Sequence, residues 1–98
     1  MKILAIEKEI PGVAEERFTE EILKAEARKA WELNQSGILR ELYFSADKHE
    51  AVLVLECANA DEARRQVGQL PLVRAGLIDF QLIPLVAYPG FERLFGRV

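Results

Sequence analysis

Three carboxylates stand at the ends of apolar segments, where they are placed to move protons. Glu7 and Glu56 each close an apolar segment, and Asp79 lies near the start of another. If these groups meet at one end of a sheet, ionising one raises the pKa of its neighbours, which favours a general acid or base near neutral pH. We therefore predict Glu7 and Glu56 as catalytic residues and Asp79 as a substrate contact. The alternative is a hydrated ion network in which Arg40 or Arg74 neutralises the carboxylates.

A basic side chain is predicted to join the carboxylates in one of two strand registers. If Leu42 and Phe44 share the face of the carboxylates, Arg40 joins them. In the other register Glu41 and Tyr43 take its place, and the sequence favours neither. An arginine beside a small acid can bind a carboxylate through two parallel hydrogen bonds. We therefore predict Arg40 and Tyr43 as substrate-binding residues, and the hydroxyl of Tyr88 as a third.

Other reactive side chains are interpreted structurally. His49 is flanked by Asp47 and Glu50 in a predicted loop, but ligands this local in a loop are more typical of solvated charges than of a metal site. Cys57 ends a strand and is interpreted as a small core residue. The sequence has no glycine-rich phosphate loop, no Ser/His/Asp arrangement and no Cys/His set with metal-ligand spacing. We expect no cofactor and no metal.

The composition limits the class of protein. Ninety-eight residues suffice for one domain, residues 1–98, and a net charge of −3 without a Lys/Arg cluster argues against nucleic acid as a partner. The single cysteine fits the reducing cytoplasm. Since there is no apolar run of about 18 residues, we expect no membrane span.

Two helices are indicated by capping residues. Thr19 is the predicted N-cap of the first, and Gly37 follows its end as a left-handed cap. Asn59, with Glu62 three residues later, predicts the start of the second helix, which runs to about Leu70 before a proline stops it. The predicted core face of the first helix is Leu23, Ala27, Ala30, Trp31 and Asn34, flanked by Ile22 and Leu33.

Four strands complete the pattern. They are predicted at residues 1–9, 38–45, 51–57 and 77–86, giving the order β-α-β-β-α-β. This order predicts an α+β, ferredoxin-like sandwich with an antiparallel sheet of order 4-1-3-2, in which we take the central strands one and three as parallel. The side chains expected to face the helices are Leu4, Ile6, Leu53, Leu55, Phe80 and Leu82; those expected on the open face are Ile3, Ala5, Glu7, Val52, Val54, Glu56, Asp79, Gln81 and Ile83.

The open face of this sheet is too apolar to remain in water. A sheet with helices on one side normally carries polar residues on the other, and here it mostly does not. Soluble monomers avoid such patches, so we predict a homodimer in which two sheets face each other. The alternative is that the C-terminal arm, residues 88–98, folds back over its own sheet.

Three segments resemble the muconolactone isomerase family. They are Gly-Ile-Leu-Arg-Glu-Leu-Tyr at 37–43, Gln-Leu-Pro-Leu-Val at 69–73 and Tyr-Pro at 88–89. The resemblance implies a dimeric α+β barrel that assembles further into a ring. It also implies a cofactor-free proton shift on a small lactone carboxylate, in a pocket between sheet and helices.

The sequence departs from that family at three positions. Glu41, Tyr43 and Tyr88 stand where the family has His, Trp and His, which removes two side chains suited to proton transfer near neutral pH. Arg40 is retained and can bind a substrate carboxylate. We therefore expect either a cofactor-free isomerase or lyase acting on a small carboxylate or lactone, or a non-catalytic dimeric module that binds a small ligand or a protein. The enzyme requires a cavity into which Arg40 and a carboxylate point.

Overall fold

The computed structural model describes residues 1–96 and confirms the predicted α+β, ferredoxin-like order of elements. The helices and strands are β1 (Lys2–Glu9), α1 (Glu20–Gln35), β2 (Leu39–Phe44), β3 (Ala51–Glu56), α2 (Ala60–Val67), α3 (Pro71–Arg74) and β4 (Ile78–Pro84). Short 3₁₀ helices lie at Glu15–Arg17 and Gly90–Phe95. The last two residues of the predicted C-terminal arm, 97–98, lie outside the described residues. No helix in residues 1–96 is long and apolar enough to cross a membrane.

The sheet order β2-β3-β1-β4 confirms the predicted order, read from the other edge. The parallel placement of strands one and three was wrong, because β1 and β3 pair antiparallel, with Lys2 opposite Glu56. The crossover through α1 makes β1 parallel to β2, and the β2–β3 hairpin then inserts β3 between them in the opposite direction. The carboxyl ends of β1 and β3 therefore lie at opposite ends of the sheet.

The predicted faces of β1 were reversed. Ile3 pairs with Leu55 and Ala5 with Leu53, and directly paired residues share a face. Ile3 and Ala5 are fully buried under the helices, so Leu4 is on the open face. The faces predicted for β3 and β4 were correct, since their alternate residues are buried. Glu7 consequently faces the helices, not the open side.

A β-bulge at Arg40 decides between the two registers of β2. The pairing with β3 shifts between Leu39 and Glu41, so that Leu39 and Leu42 both face the helices. Glu41 and Tyr43 face the open side, which is the second of the two predicted registers. The extra residue of a bulge changes the alternation of side chains locally.

The cap of α1 is as predicted, but its core face is rotated. The Thr19 hydroxyl accepts a hydrogen bond from the backbone N–H of Ile22 at 3.2 Å, and Gly37 has φ +84°. The stripe facing the sheet is Ile22, Glu26, Ala30 and Leu33, at helical spacing. Trp31, which was predicted in the core, is 64% exposed. The predicted core face differs from the observed one by about one residue. Ala and Leu occur on both sides of this helix, so their spacing alone did not identify the side that faces the sheet.

The second helix begins where predicted and ends earlier. The Asn59 side chain accepts from the N–H of Glu62 at 2.8 Å, and Glu62 in turn accepts from Ala58 at 2.9 Å. The helix ends at Val67, and Pro71 starts α3 at its first position. Proline is favoured there because a first-turn N–H has no partner within a helix.

The core lies between the helices and one face of the sheet. Its buried residues are Ile3, Ala5, Leu33, Leu39, Ala51, Leu53, Leu55, Cys57, Ala63, Val67, Leu70, Leu72, Leu77, Ile78 and Phe80. The open face carries the partly exposed side chains of Leu4, Ile6, Val52, Val54 and Ile83.

The C-terminal arm extends away from this body. Tyr88, Leu94 and Phe95 are 67%, 76% and 79% exposed. The chain is 58 Å long but only 28 by 22 Å across. Since both the described part of the arm, residues 88–96, and the open face remain exposed within one chain, these residues do not fold back over the sheet as the alternative required.

Candidate active site

An apolar cavity of about 290 Å³ opens between α1 and the helix-facing side of the sheet. It is lined by Glu7, Leu23, Glu26, Ala27, Ala30, Leu39, Leu42, Phe44, Ala51, Leu53, Leu70, Leu72, Ile78 and Phe80. Glu7 and Glu26 are the polar side chains of this lining. Leu23, Leu42 and Phe44 are about half exposed or more, so they form the mouth. The cavity lies between sheet and helices, where the family resemblance implies a pocket.

Glu7 is held at one wall of the cavity by the neighbouring strand. It lies near the end of β1, opposite Phe80 in β4, and its Oε1 accepts a hydrogen bond from the backbone N–H of Ala51 at 2.9 Å. A carboxylate held by a backbone N–H has a defined orientation and keeps its second oxygen for a ligand. The position of Glu7 is therefore suited to a base, on the face opposite to the predicted one.

Glu26 is the second carboxyl group of the cavity, and it was not among the site residues predicted from the sequence. Its Oε1 accepts a hydrogen bond from the backbone N–H of Leu72 at 2.9 Å. Burial raises the pKa of Glu26 above its ordinary value of 4.5 and the charge of Glu7 raises it further, while the Leu72 hydrogen bond opposes both. The sequence contained one indication of this position. Glu26 is four residues from both Ile22 and Ala30, so it shares their face of the helix.

Glu56 lies at the other end of the sheet, on the open face. Its Oε2 forms an ion pair with the Met1 amine at 2.6 Å. That hydrogen bond is the main cause that lowers the pKa of Glu56, and the charge of Arg40 lowers it further. Glu56 is therefore ionised and paired, and it does not lie next to Glu7 as was predicted from the sequence.

Asp79 is also on the open face, at the edge strand. Its Oδ1 pairs with Nη1 of Arg64 at 3.2 Å and accepts from the N–H of Phe80 at 2.8 Å. Arg64 also donates to the Phe80 carbonyl at 3.1 Å. The three predicted carboxylates are thus divided: Glu7 enters the cavity, while Asp79 and Glu56 are in separate ion pairs. The expected convergence was wrong because it depended on parallel central strands.

The other predicted contacts lie outside the cavity lining. Arg40 donates through Nε to the carbonyl of Gly37. The Tyr43 hydroxyl donates to Oε1 of Glu41 at 2.7 Å, and this bond is the first cause of a raised pKa of Tyr43. Tyr88 is on the arm, with its ring edge to face with Phe91 at 5.1 Å between centroids.

The two other reactive residues, His49 and Cys57, lie outside the cavity lining. The His49 ring lies 5.9 Å from that of Phe44, between centroids. Among residues 1–96 there is no group of three or more His, Cys, Asp or Glu side chains placed to hold a metal ion. Cys57 is buried, as predicted for a core residue, and this burial is the main cause that raises the pKa of its thiol.

Comparison with known proteins assigns the family. The sequence matches the family profile described as muconolactone delta-isomerase over residues 3–90. The chain belongs to the muconolactone delta-isomerase family. This confirms the resemblance carried by the three sequence segments. Curated protein sequences give no significant match.

Two solved structures share the fold of this family member. One is a crystal structure of muconolactone isomerase, with a TM-score of 0.71 and 17% identity, covering 92% of this chain and 93% of the other. The second is 5-chloro-2-hydroxyhydroquinone dehydrochlorinase from Burkholderia phenoliruptrix AC1100, in complex with 2,5-dihydroxybenzoquinone. It has a TM-score of 0.65 and 18% identity, over 90% of this chain and 96% of the other. At these identities the likeness establishes the fold alone.

Proposed function

We propose that the protein is a cofactor-independent isomerase or lyase that moves a proton on a small cyclic molecule bound in the cavity. The observation that carries this proposal is that Glu7 and Glu26 share one apolar cavity, each fixed by a backbone N–H. Two carboxyl groups in different surroundings are a recurrent arrangement for acid–base catalysis, because one ionises more readily than the other.

The two groups have complementary roles in this proposal. Glu7 takes a proton from a carbon next to a carbonyl group, and the electron pair of that C–H bond forms an enolate. Glu26, whose pKa is raised, donates a hydrogen bond or its proton to the carbonyl oxygen. Return of the proton to a different carbon shifts the double bond, which is an isomerisation. Loss of a leaving group with its electron pair from the adjacent carbon is an elimination.

The family and the two similar folds support this class of reaction. One of those proteins is an isomerase and the other a dehydrochlorinase. A double-bond shift and the loss of HCl both begin when a proton leaves carbon. The ligand of the second protein, 2,5-dihydroxybenzoquinone, is a small ring of the size that suits the cavity of this chain.

Glutamine variants of three glutamates test the assignment. Glu7→Gln and Glu26→Gln should each lower the rate at least about a hundredfold, since a positioned acid or base contributes roughly 10²–10⁴. Glu56→Gln is the matched variant at the far end of the sheet, and it should retain activity. The probes are muconolactone and chlorinated hydroxyhydroquinones, followed by absorbance and by deuterium uptake in D₂O. Full activity of the first two variants, or its loss only in Glu56→Gln, would reject the assignment.

The open face supports a second proposal, self-association. Leu4, Val52 and Val54 leave an apolar sheet surface partly exposed in one chain. A homodimer with facing sheets would cover this surface, as was predicted from the sequence. The substrate contacts predicted at Arg40, Tyr43, Asp79 and Tyr88 lie outside the cavity lining and remain predictions. The non-catalytic alternative is a dimer that binds a ligand in the cavity without turnover.

A further inference from the structure

We infer that the cavity selects uncharged ring compounds carrying a hydroxyl or carbonyl group, and that it discriminates against carboxylates. This inference rests on the proposed function only in that both use the same cavity. It departs from the small carboxylate that the sequence predicted, and it concerns binding alone, so it can be tested without turnover.

The charged groups that line the cavity disfavour the binding of an anion. Within the described residues 1–96, no Arg, Lys or His side chain lines it. An entering carboxylate would lose its water next to two carboxyl groups and gain no opposite charge, which is costly in an apolar site. Arg40, which the sequence offered for this role, and Arg64 both have other partners. Arg40 donates to Gly37, and Arg64 is paired with Asp79 at 3.2 Å.

Two backbone N–H groups at the cavity walls are not free to replace a cation. A carboxylate can also be held by free backbone N–H groups. Two backbone N–H groups at the walls, those of Ala51 and Leu72, already donate to Glu7 and Glu26, each at 2.9 Å. The polar groups that face a ligand are therefore carboxyl oxygens.

Such oxygens recognise neutral partners. A ligand hydroxyl can donate to the carboxyl oxygens of Glu7 and Glu26, and Glu26 in its protonated form, which its raised pKa favours, can donate to a ligand carbonyl. The rest of the wall is aliphatic or aromatic, as in Leu53 and Phe80, and it fits the faces of a ring. A cavity of about 290 Å³ is at the small end of ligand pockets, which corresponds to a single ring with small substituents.

Binding of three ring compounds of one shape tests the selection. The probes are 4-hydroxybenzamide, 4-hydroxybenzoate and 4-hydroxybenzylamine, which are neutral, anionic and cationic at pH 7. By titration calorimetry, the amide should bind at least about tenfold more tightly than the benzoate, and at least as tightly as the amine, whose ammonium group loses its water on entry. Equal or tighter binding of the benzoate overturns the inference. Tighter binding of the amine, or no binding of any probe up to about 10 mM, also overturns it.

A charge placed at the mouth provides a second test. Ala27 lines the cavity and is exposed, so Ala27→Lys adds a cation there without disturbing the core. It should improve benzoate binding by about tenfold and leave the amide little changed. Ala25 is outside the lining, so Ala25→Lys carries the same charge on the same helix and should have no such effect. Equal effects of the two variants would contradict selection by the cavity.

The two proposals fail in distinguishable ways. Selective binding of the amide with no turnover of any probe would reject the enzyme and leave the selection intact. Turnover that depends on Glu7 and Glu26, combined with preferred binding of carboxylates, would support the enzyme and reject the selection.

Discussion

Glu26 accepts a hydrogen bond from the backbone N–H of Leu72 at 2.9 Å, which joins the middle of α1 to α3 beside the cavity. The same carboxyl group has a raised pKa, chiefly through burial. One residue therefore contributes both to the packing of two helices and to the acid–base character of the cavity. This double role makes Glu26 the most informative residue to change.

The contribution of Glu26 to the stability of the protein should decrease with rising pH. Its pKa in the folded protein lies above the ordinary value of 4.5, so the folded state holds this proton more tightly than the unfolded state. The contribution is therefore fully present below about pH 4.5, decreases as the pH rises through the folded-state pKa, and is then constant.

Urea unfolding of the wild type and of Glu26→Gln between about pH 4 and pH 8 measures this effect. Glutamine keeps an oxygen that accepts from Leu72 but does not titrate. The unfolding free energy of the wild type minus that of the variant should decrease across this range. A difference that is constant, or that increases with pH, would contradict a raised pKa at Glu26.

Local chemistry explains which elements could be predicted from the sequence. Thr19 and Asn59 cap their helices as predicted, since a cap is a hydrogen bond to a backbone group two or three residues away. Gly37 has the predicted left-handed conformation, which a glycine adopts without strain. The order of the four strands followed from the order of elements and the handedness of the crossovers.

The candidate site depended on contacts that the sequence does not encode locally. Leu4 and Ile6 are as apolar as Ile3 and Ala5, so alternation could not show which face of β1 lies under the helices. The direction of β3 next to β1 was misjudged, and this separated Glu56 from Glu7. Glu26 was missed because the helical stripe was placed one residue away, on the side of Trp31.

A lysine in the centre of the open face should prevent the proposed dimer. Val54 lies on β3, paired with Leu4 on one side and Glu41 on the other. Val54→Lys would remove an ammonium group from water between two apolar sheets, and even with Glu41 beside it this should weaken association by about 1–4 kcal/mol. Sedimentation velocity over a range of protein concentrations measures this change. Glu21→Lys, on the exposed start of α1, alters the charge elsewhere and should associate like the wild type. A wild-type protein that stays monomeric, or a Val54→Lys variant that dimerises equally well, would exclude this interface.

Removing the cap of α2 should lower stability by a modest and defined amount. Asn59→Ala removes the acceptor of the Glu62 N–H bond, and loss of such a cap costs roughly 0.5–2 kcal/mol. Asn59→Asp keeps a carboxyl oxygen at the same place and should retain most of the stability. Thermal and urea unfolding of both variants test this. Equal losses in both would show that the side chain acts through something other than its hydrogen bond.

Substitutions at two residues of the cavity should have different effects on the free energy of unfolding and on ligand binding. Phe80 is 1% exposed and Leu42 is 50% exposed, yet both line the cavity. Phe80→Ala removes a large buried side chain and should cost about 3–5 kcal/mol of unfolding free energy. Leu42→Ala changes a half-exposed side chain at the mouth and should cost less than about 1 kcal/mol, because solvent already covers much of it.

Ligand binding should be weakened by Leu42→Ala even though that variant remains stable. Leu42→Ala removes apolar surface that a bound ring would contact, so a folded and stable variant should bind 4-hydroxybenzamide several-fold more weakly, by about 1 kcal/mol. Phe80→Leu keeps most of the buried volume and serves as the milder core variant. Calorimetric titration after a check of folding by circular dichroism gives both quantities for each variant. Unchanged binding in Leu42→Ala would mean that the bound ligand does not contact the side chain at position 42.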